Sequence, residues 1–122
     1  MLVDSNILIY ATKPEHAELR HWLVEALPKL SIISKVEILG YHKLHAAEKA
    51  ALTESLNNLE LIYLTPACYE IAIQLRQQRK LTLGDALIAA TCLEWGYVLA
   101  TCNTGDFAWI DELKLFNPLE AG

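Results

Sequence analysis

The chain has 122 residues, the length of one ordinary domain, and can bury a core without disulfides or structural metals. Apolar residues make up 53% and charged residues 20%, which excludes a disordered chain; five glycines and four prolines exclude collagen-like and low-complexity classes. Ten Lys and Arg against fifteen Asp and Glu give a net charge of −5, which excludes gripping nucleic acid by a bulk positive field, but not a nuclease whose local positive charge comes from metal ions or a partner.

Leu2-Val3-Asp4 predicts a short strand at the start. Pro14 opens a helix over EHAELRHWLVEAL, with Ala17, Leu19, Trp22, Leu23 and Leu27 on its apolar side. Ser31-Ile32-Ile33 reads as a brief buried strand, and residues 36–59 read as helical with a break near His45-Ala46. Leu61 to Leu64 is a further strand. Thr65-Pro66 starts a helix that runs to about Lys80, with Ala67, Ile71, Ala72 and Leu75 at helical spacing. A last long helix spans Leu83 to Trp95 and stops at Gly96. Tyr97 to Thr101 is β-rich, and LKLFNP adds a short edge strand. Strand and helix alternate throughout, and parallel strands need helical crossovers. The expectation is one α/β domain over 1–122, with a mainly parallel sheet of four to five strands flanked by helices.

Cys68, Cys92 and Cys102 are an odd number without a C-x-x-C, so no disulfide framework is expected and a reducing compartment fits. MLVDSNILIY lacks a basic segment and carries Asp4, and no apolar run approaches the roughly 20 residues that span a bilayer. The expectation is a cytoplasmic protein without a membrane partner.

In open parallel sheets ligands gather at the carboxyl ends of the strands. Asp4 ends the first predicted strand, Glu37 lies just past Ser31-Ile33, and Asp106 lies just past Tyr97–Thr101; Asp85 sits in the first turn of the last long helix. Each acid alone also fits helix capping. Ser34-x-x-Glu37 and Thr82-x-x-Asp85 match the capping box, Asn103 precedes Asp106 as an N-cap, and Asp4 fits a cap on the turn into Ile7–Tyr10. Taken together, four acids at one end of a sheet repel one another unless a cation is present. A carboxylate-only set suits Mg²⁺ or Mn²⁺ rather than Zn²⁺. Such a site activates water and stabilises a phosphodiester under in-line attack.

The segments LVDSNILIY, SIISKVEILGY, LTLGDALIAATCLEWG and LATCNTGDFAWIDELKLFNP together resemble the PIN-domain ribonucleases, most closely the VapC-type toxins of toxin–antitoxin pairs. The resemblance implies a three-layer PIN-like sandwich and a metal-dependent endoribonuclease that acts as a toxin. It implies Asp4, Glu37, Asp85 and Asp106 as catalytic, metal-binding acids for Mg²⁺ or Mn²⁺, with supporting roles for Ser5, Thr101 and Asn103. It further implies an RNA substrate, a cognate antitoxin and a homodimer. The sequence departs from the family at Cys102 and Gly105, where many relatives carry basic residues; Cys102 has no paired His nearby and reads as a packing cysteine. An alternative is a catalytically silent PIN-like interaction module; a receiver-like phosphotransfer domain is disfavoured because no lysine follows Leu99 in ATCNTGD.

Arg76, Arg79 and Lys80 form the densest basic cluster, and with Lys13 they are candidate RNA phosphate contacts; the other reading of the cluster is a solvated helix C-terminus. His42-x-x-His45 reads as a solvated face, and Trp22, Trp95 and Trp109 as core or interface residues. Phe107 is expected to anchor the Asp106 loop by packing. Leu23, Leu27, Ile38, Leu39 and Tyr41 exceed the needs of one small core, so an antitoxin peptide or a second subunit is expected to cover part of that surface.

Overall fold

The computed structural model describes residues 1–120. The first strand, β1 (Leu2–Val3), runs directly into helix α1 (Ser5–Ala11). A 3-10 turn at Pro14–His16 leads into α2 (Ala17–Ala26), so Pro14 opens a turn ahead of the predicted helix. Then come β2 (Lys29–Ser31), α3 (Ile32–Leu39), α4 (Ala46–Leu56) and β3 (Leu61–Ile62). The chain continues through α5 (Pro66–Gln78), α6 (Leu83–Trp95), β4 (Leu99–Ala100), α7 (Thr104–Phe107) and β5 (Leu115–Phe116).

The five strands form one sheet in the order β3-β2-β1-β4-β5, and every pairing is parallel. The tail strand β5 is at the edge, as expected. Adjacent strand residues face opposite sides of a sheet. Leu2 and Leu99 therefore join a core with α5, α6 and the buried Phe107, Ile110 and Leu113. Val3 and Ala100 join a second core with residues of α1, α2, α3 and α4. The result is the expected three-layer sandwich. All four residues of β1 and β4 have no exposed surface, which is why these strands read as plain apolar runs.

Three local predictions shift. The predicted strand Ser31–Ile33 lies earlier, because the Ser31 hydroxyl accepts the Ile33 N–H at 3.1 Å and starts α3 there. The Ser34 capping box does not form: Ser34 lies inside α3, fully buried, and its hydroxyl has no hydrogen-bond partner among the described residues. The helical stretch 36–59 divides into α3 and α4 across residues 40–45, a wider and earlier break than predicted, and Leu27 lies beyond α2 with φ 42°. Removing the buried cap in Ser31→Ala should cost about 1 kcal/mol in urea unfolding, with Ser31→Thr recovering most of it.

Candidate active site

The chain builds β1, β2 and β3 outward on one side, then crosses to place β4 on the other side of β1. The gap between the carboxyl ends of β1 and β4 is thus where the strand order reverses, the position at which open parallel sheets bind ligands. Asp4 follows β1 there and Thr101 follows β4. The Asp4 N–H donates to the Ala100 carbonyl at 2.8 Å, which locks the two strand ends side by side.

Asp4 occupies the N-cap position of α1, but its side chain makes no capping hydrogen bond. Its Oδ2 instead accepts the Thr101 hydroxyl at 2.8 Å. Thr101, fully buried, also accepts the Asn103 backbone N–H at 3.0 Å, which ties the loop after β4 to the same hydroxyl. Thr101 thus hydrogen-bonds both Asp4 and the loop that follows β4. Asn103 contributes through its backbone, and its side chain caps nothing in α7.

The Asp4 carboxyl is raised to about 6, chiefly by burial and also by the charges of Asp85 and Glu37, against the lowering effect of the Thr101 hydrogen bond. Asp85 is also raised, first by burial and then by the charge of Asp106, with its hydrogen bond to Thr82 opposing. These mutual effects link all four predicted acids at one end of the sheet. Asp85 stands in the first turn of α6, where the Thr82 hydroxyl accepts its N–H at 3.2 Å. Thr82 is thus the expected cap of α6. Asp106 lies exposed in α7.

Glu37 reaches the site from α3 in another way. Ser5, buried at the start of α1, donates its hydroxyl to Glu37 Oε1 at 3.0 Å. The sequence pairs neither residue with the other, and the contact exists only because α1 and α3 lie together on one face of the sheet. Among the described residues no group of three or more His, Cys, Asp or Glu side chains stands close enough to hold a metal ion.

Two features of the surroundings escaped the sequence. Trp109 Nε1 donates to the Asp106 carbonyl at 3.0 Å, and the Arg79 guanidinium lies 5.6 Å from the centre of its ring. Arg79 is thereby held beside the Asp106 turn. Arg76 Nε donates to the Leu81 carbonyl, and Lys80 is exposed next to them. Lys13 stands past the C-terminal end of α1, away from Asp4. Cys102 is half-buried against the second core and its thiol is pushed up by burial, as a packing cysteine requires. Gly105 has open space where a side chain would stand, so sterics do not account for its lack of a basic group.

A groove of about 1000 Å³ opens between α1–α2 and α4. Leu8, Leu23, Leu27, Leu52 and Leu59 line it, with Val24 exposed at 74% and Leu27 at 58%. No described helix is long and apolar enough to cross a membrane.

Comparison with known proteins places these observations in a wider set. The PIN domain family model matches residues 1–113. A toxin–antitoxin complex from Klebsiella pneumoniae contains a chain 31% identical to this one, with a TM-score of 0.78 and 96% of each chain covered. The FitAcB structure from Neisseria gonorrhoeae matches at 23% identity and a TM-score of 0.80, covering 98% of each chain. The DNA-bound VapBC structure from Salmonella typhimurium matches at 18% identity and a TM-score of 0.82, covering 96% of each chain. These last two likenesses carry the fold. No curated protein matches the chain in sequence.

Proposed function

We propose that this chain, which belongs to the PIN domain family, is a divalent-metal-dependent endoribonuclease that acts as the toxin of a toxin–antitoxin pair. The observation that carries the reading is Asp4: a buried carboxyl at the sheet's reversal point, lifted to about 6 by burial and by two neighbouring carboxylates. A buried anion crowded by like charges is costly, and a cation reverses that cost.

The donor set fits a hard cation, because Asp4, Glu37, Asp85 and Asp106 offer oxygen alone. Mg²⁺ keeps several of its waters and takes only one or two carboxylates directly, so three converging side chains are not required. When bound, the metal would supply an activated water and offset charge on the scissile phosphate. The chain's own residues hold the geometry. Thr101 fixes the rotamer of Asp4, Ser5 tethers Glu37, and Thr82 starts the helix that presents Asp85. Arg79, held over Trp109, is the basic side chain best placed to meet an RNA phosphate beside Asp106, with Arg76 and Lys80 next to it.

The apolar groove between α1–α2 and α4 is the proposed seat of the antitoxin, as a helix laid on its apolar face. The presence of a toxin–antitoxin complex among the structural relatives supports this. A homodimer through the exposed Tyr69 and Ile73 of α5, and a cytoplasmic location, complete the reading. Val24→Glu should leave the melting temperature within a few degrees, because Val24 is exposed. The same variant should weaken antitoxin binding more than about tenfold in a calorimetric titration.

The test is cleavage of a panel of structured RNAs with Mn²⁺, with Mg²⁺ and with EDTA. The expected result is metal-dependent cutting that vanishes in Asp85→Asn. Cutting that survives the substitution contradicts the reading. Mn²⁺ binding without cutting of any RNA in the panel would favour the silent interaction module instead.

A further inference from the structure

Gly84, the second residue of α6, has no functional reading in the sequence. The position its Cβ would take is already occupied by Glu37: Oε2 would stand 2.8 Å away, Cδ 3.3 Å and Oε1 3.5 Å. Real Cβ atoms do not approach neighbours at 2.8 Å, so any side chain at this position displaces the carboxylate. Oε1 is engaged from another side by the Ser5 hydroxyl at 3.0 Å. An exposed side chain on α3 is thus confined between the starts of α1 and α6, next to Asp85.

Nothing in the backbone requires glycine here. The only glycine with positive φ among the described residues is Gly96. Within a helix, glycine is less favourable than alanine by about 1 kcal/mol. The residue is costly for α6 and useful only for the space it leaves.

We propose that Gly84 is a positioning residue that seats the Glu37 carboxylate against the metal-binding end of α6, with Ser5 as the opposing tether. The inference rests on the metal-site reading of Glu37 and Asp85. The displaced atoms are the tip of a flexible side chain and not backbone, so alanine swings Glu37 away and leaves α6 intact. A role in helix packing predicts the reverse, a loss of stability.

The test uses the full chain in four forms: wild type, Gly84→Ala, Glu37→Asp and the double variant, with Asp85→Asn as the site control. Metal-free melting temperature and Mn²⁺ affinity by calorimetry are measured for each. Gly84→Ala should melt at or above wild type and bind Mn²⁺ about tenfold more weakly, the scale of losing a group that orients a ligand. Glu37→Asp should also bind more weakly. The double variant should bind no worse than Glu37→Asp alone, because the shorter carboxylate clears the new methyl group. Unchanged affinity in Gly84→Ala, with binding lost in Asp85→Asn, overturns the role of Gly84 and leaves the metal site standing. Independent, multiplying losses in the double variant overturn it as well, as does a sharp fall in the metal-free melting temperature of Gly84→Ala. Wild-type binding that is absent, or unaffected by Asp85→Asn, overturns the metal-site reading and this inference with it.

Discussion

Asp4→Asn is expected to abolish RNA cleavage and, at the same time, to make the metal-free protein more stable. The two effects have one cause. Asp4 is 3% exposed, and its folded-state carboxyl is raised from 3.8 to about 6. The folded chain therefore holds this proton more tightly than the unfolded chain does. Between pH 4 and 6 the native state carries the extra proton, so stability falls as pH rises through that window. The cost is absent below pH 4 and complete above pH 6, where a shift of this size corresponds to about 3 kcal/mol. Asparagine is neutral at every pH, and its amide oxygen still accepts the Thr101 hydroxyl. Urea unfolding of the metal-free variant should show a gain of about 2 to 3 kcal/mol at pH 7.5 and little difference at pH 4. Cleavage should fall more than about 100-fold, beyond the usual loss for a group that merely orients a ligand. Equal stability of variant and wild type at pH 7.5 would show that the Asp4 charge is not strained by its surroundings.

Phe107→Ala is the substitution expected to cost the most stability. Phe107 is 1% exposed, the largest of the fully buried side chains, and packs into the core shared with α5 and α6. Truncation removes its transfer free energy and leaves a cavity, together about 3 to 5 kcal/mol. Small domains hold only about 5 to 15 kcal/mol in total. The melting temperature should fall by more than about 10 °C. Because Phe107 directly follows Asp106 in α7, Mn²⁺ affinity of the folded fraction should also fall. A stability loss below about 1 kcal/mol would mean that α7 is held mainly by its backbone hydrogen bonds and the Trp109 contact to Asp106.

The central strands and the acids that follow them were legible for a simple reason. Strands buried on both faces cannot carry polar residues, so the first polar residue after each run marks the strand's end. Asp4 at the end of the first strand stands out on that ground, whereas Thr101 reads as part of the β-rich run Tyr97–Thr101 and its role comes only from the family resemblance. The T-L-G-D start of α6 was legible because Thr82 supplies its own local cap. Ser31-Ile32-Ile33 misled because two β-branched residues favour a strand, while a single hydroxyl contact one residue earlier commits the chain to helix. Helix α1 was read only as a turn. Asn6-Ile7-Leu8-Ile9-Tyr10 has weak intrinsic helix preference, and it is burial of Ile7, Leu8 and Ala11 against the second core that holds it.

The site was legible in its residue types and not in its contacts. Four acids were visible, and so was the advantage of a cation among them. The partners of Glu37 were not, because Ser5 and Gly84 meet it only after three helices converge. Trp109 read as a packing residue, and its tie to the Asp106 carbonyl depends on the tight turn that follows α7. Long-range pairs of this kind leave no periodicity in the chain.

The most direct test of the account is anomalous diffraction from crystals of the full chain soaked in Mn²⁺ above pH 7. The account predicts manganese at the carboxyl ends of β1 and β4, held by the Asp4 and Asp85 carboxylates and lost in Asp4→Asn crystals. Manganese bound only elsewhere, or no ordered ion between these carboxylates at saturating concentration, would contradict it.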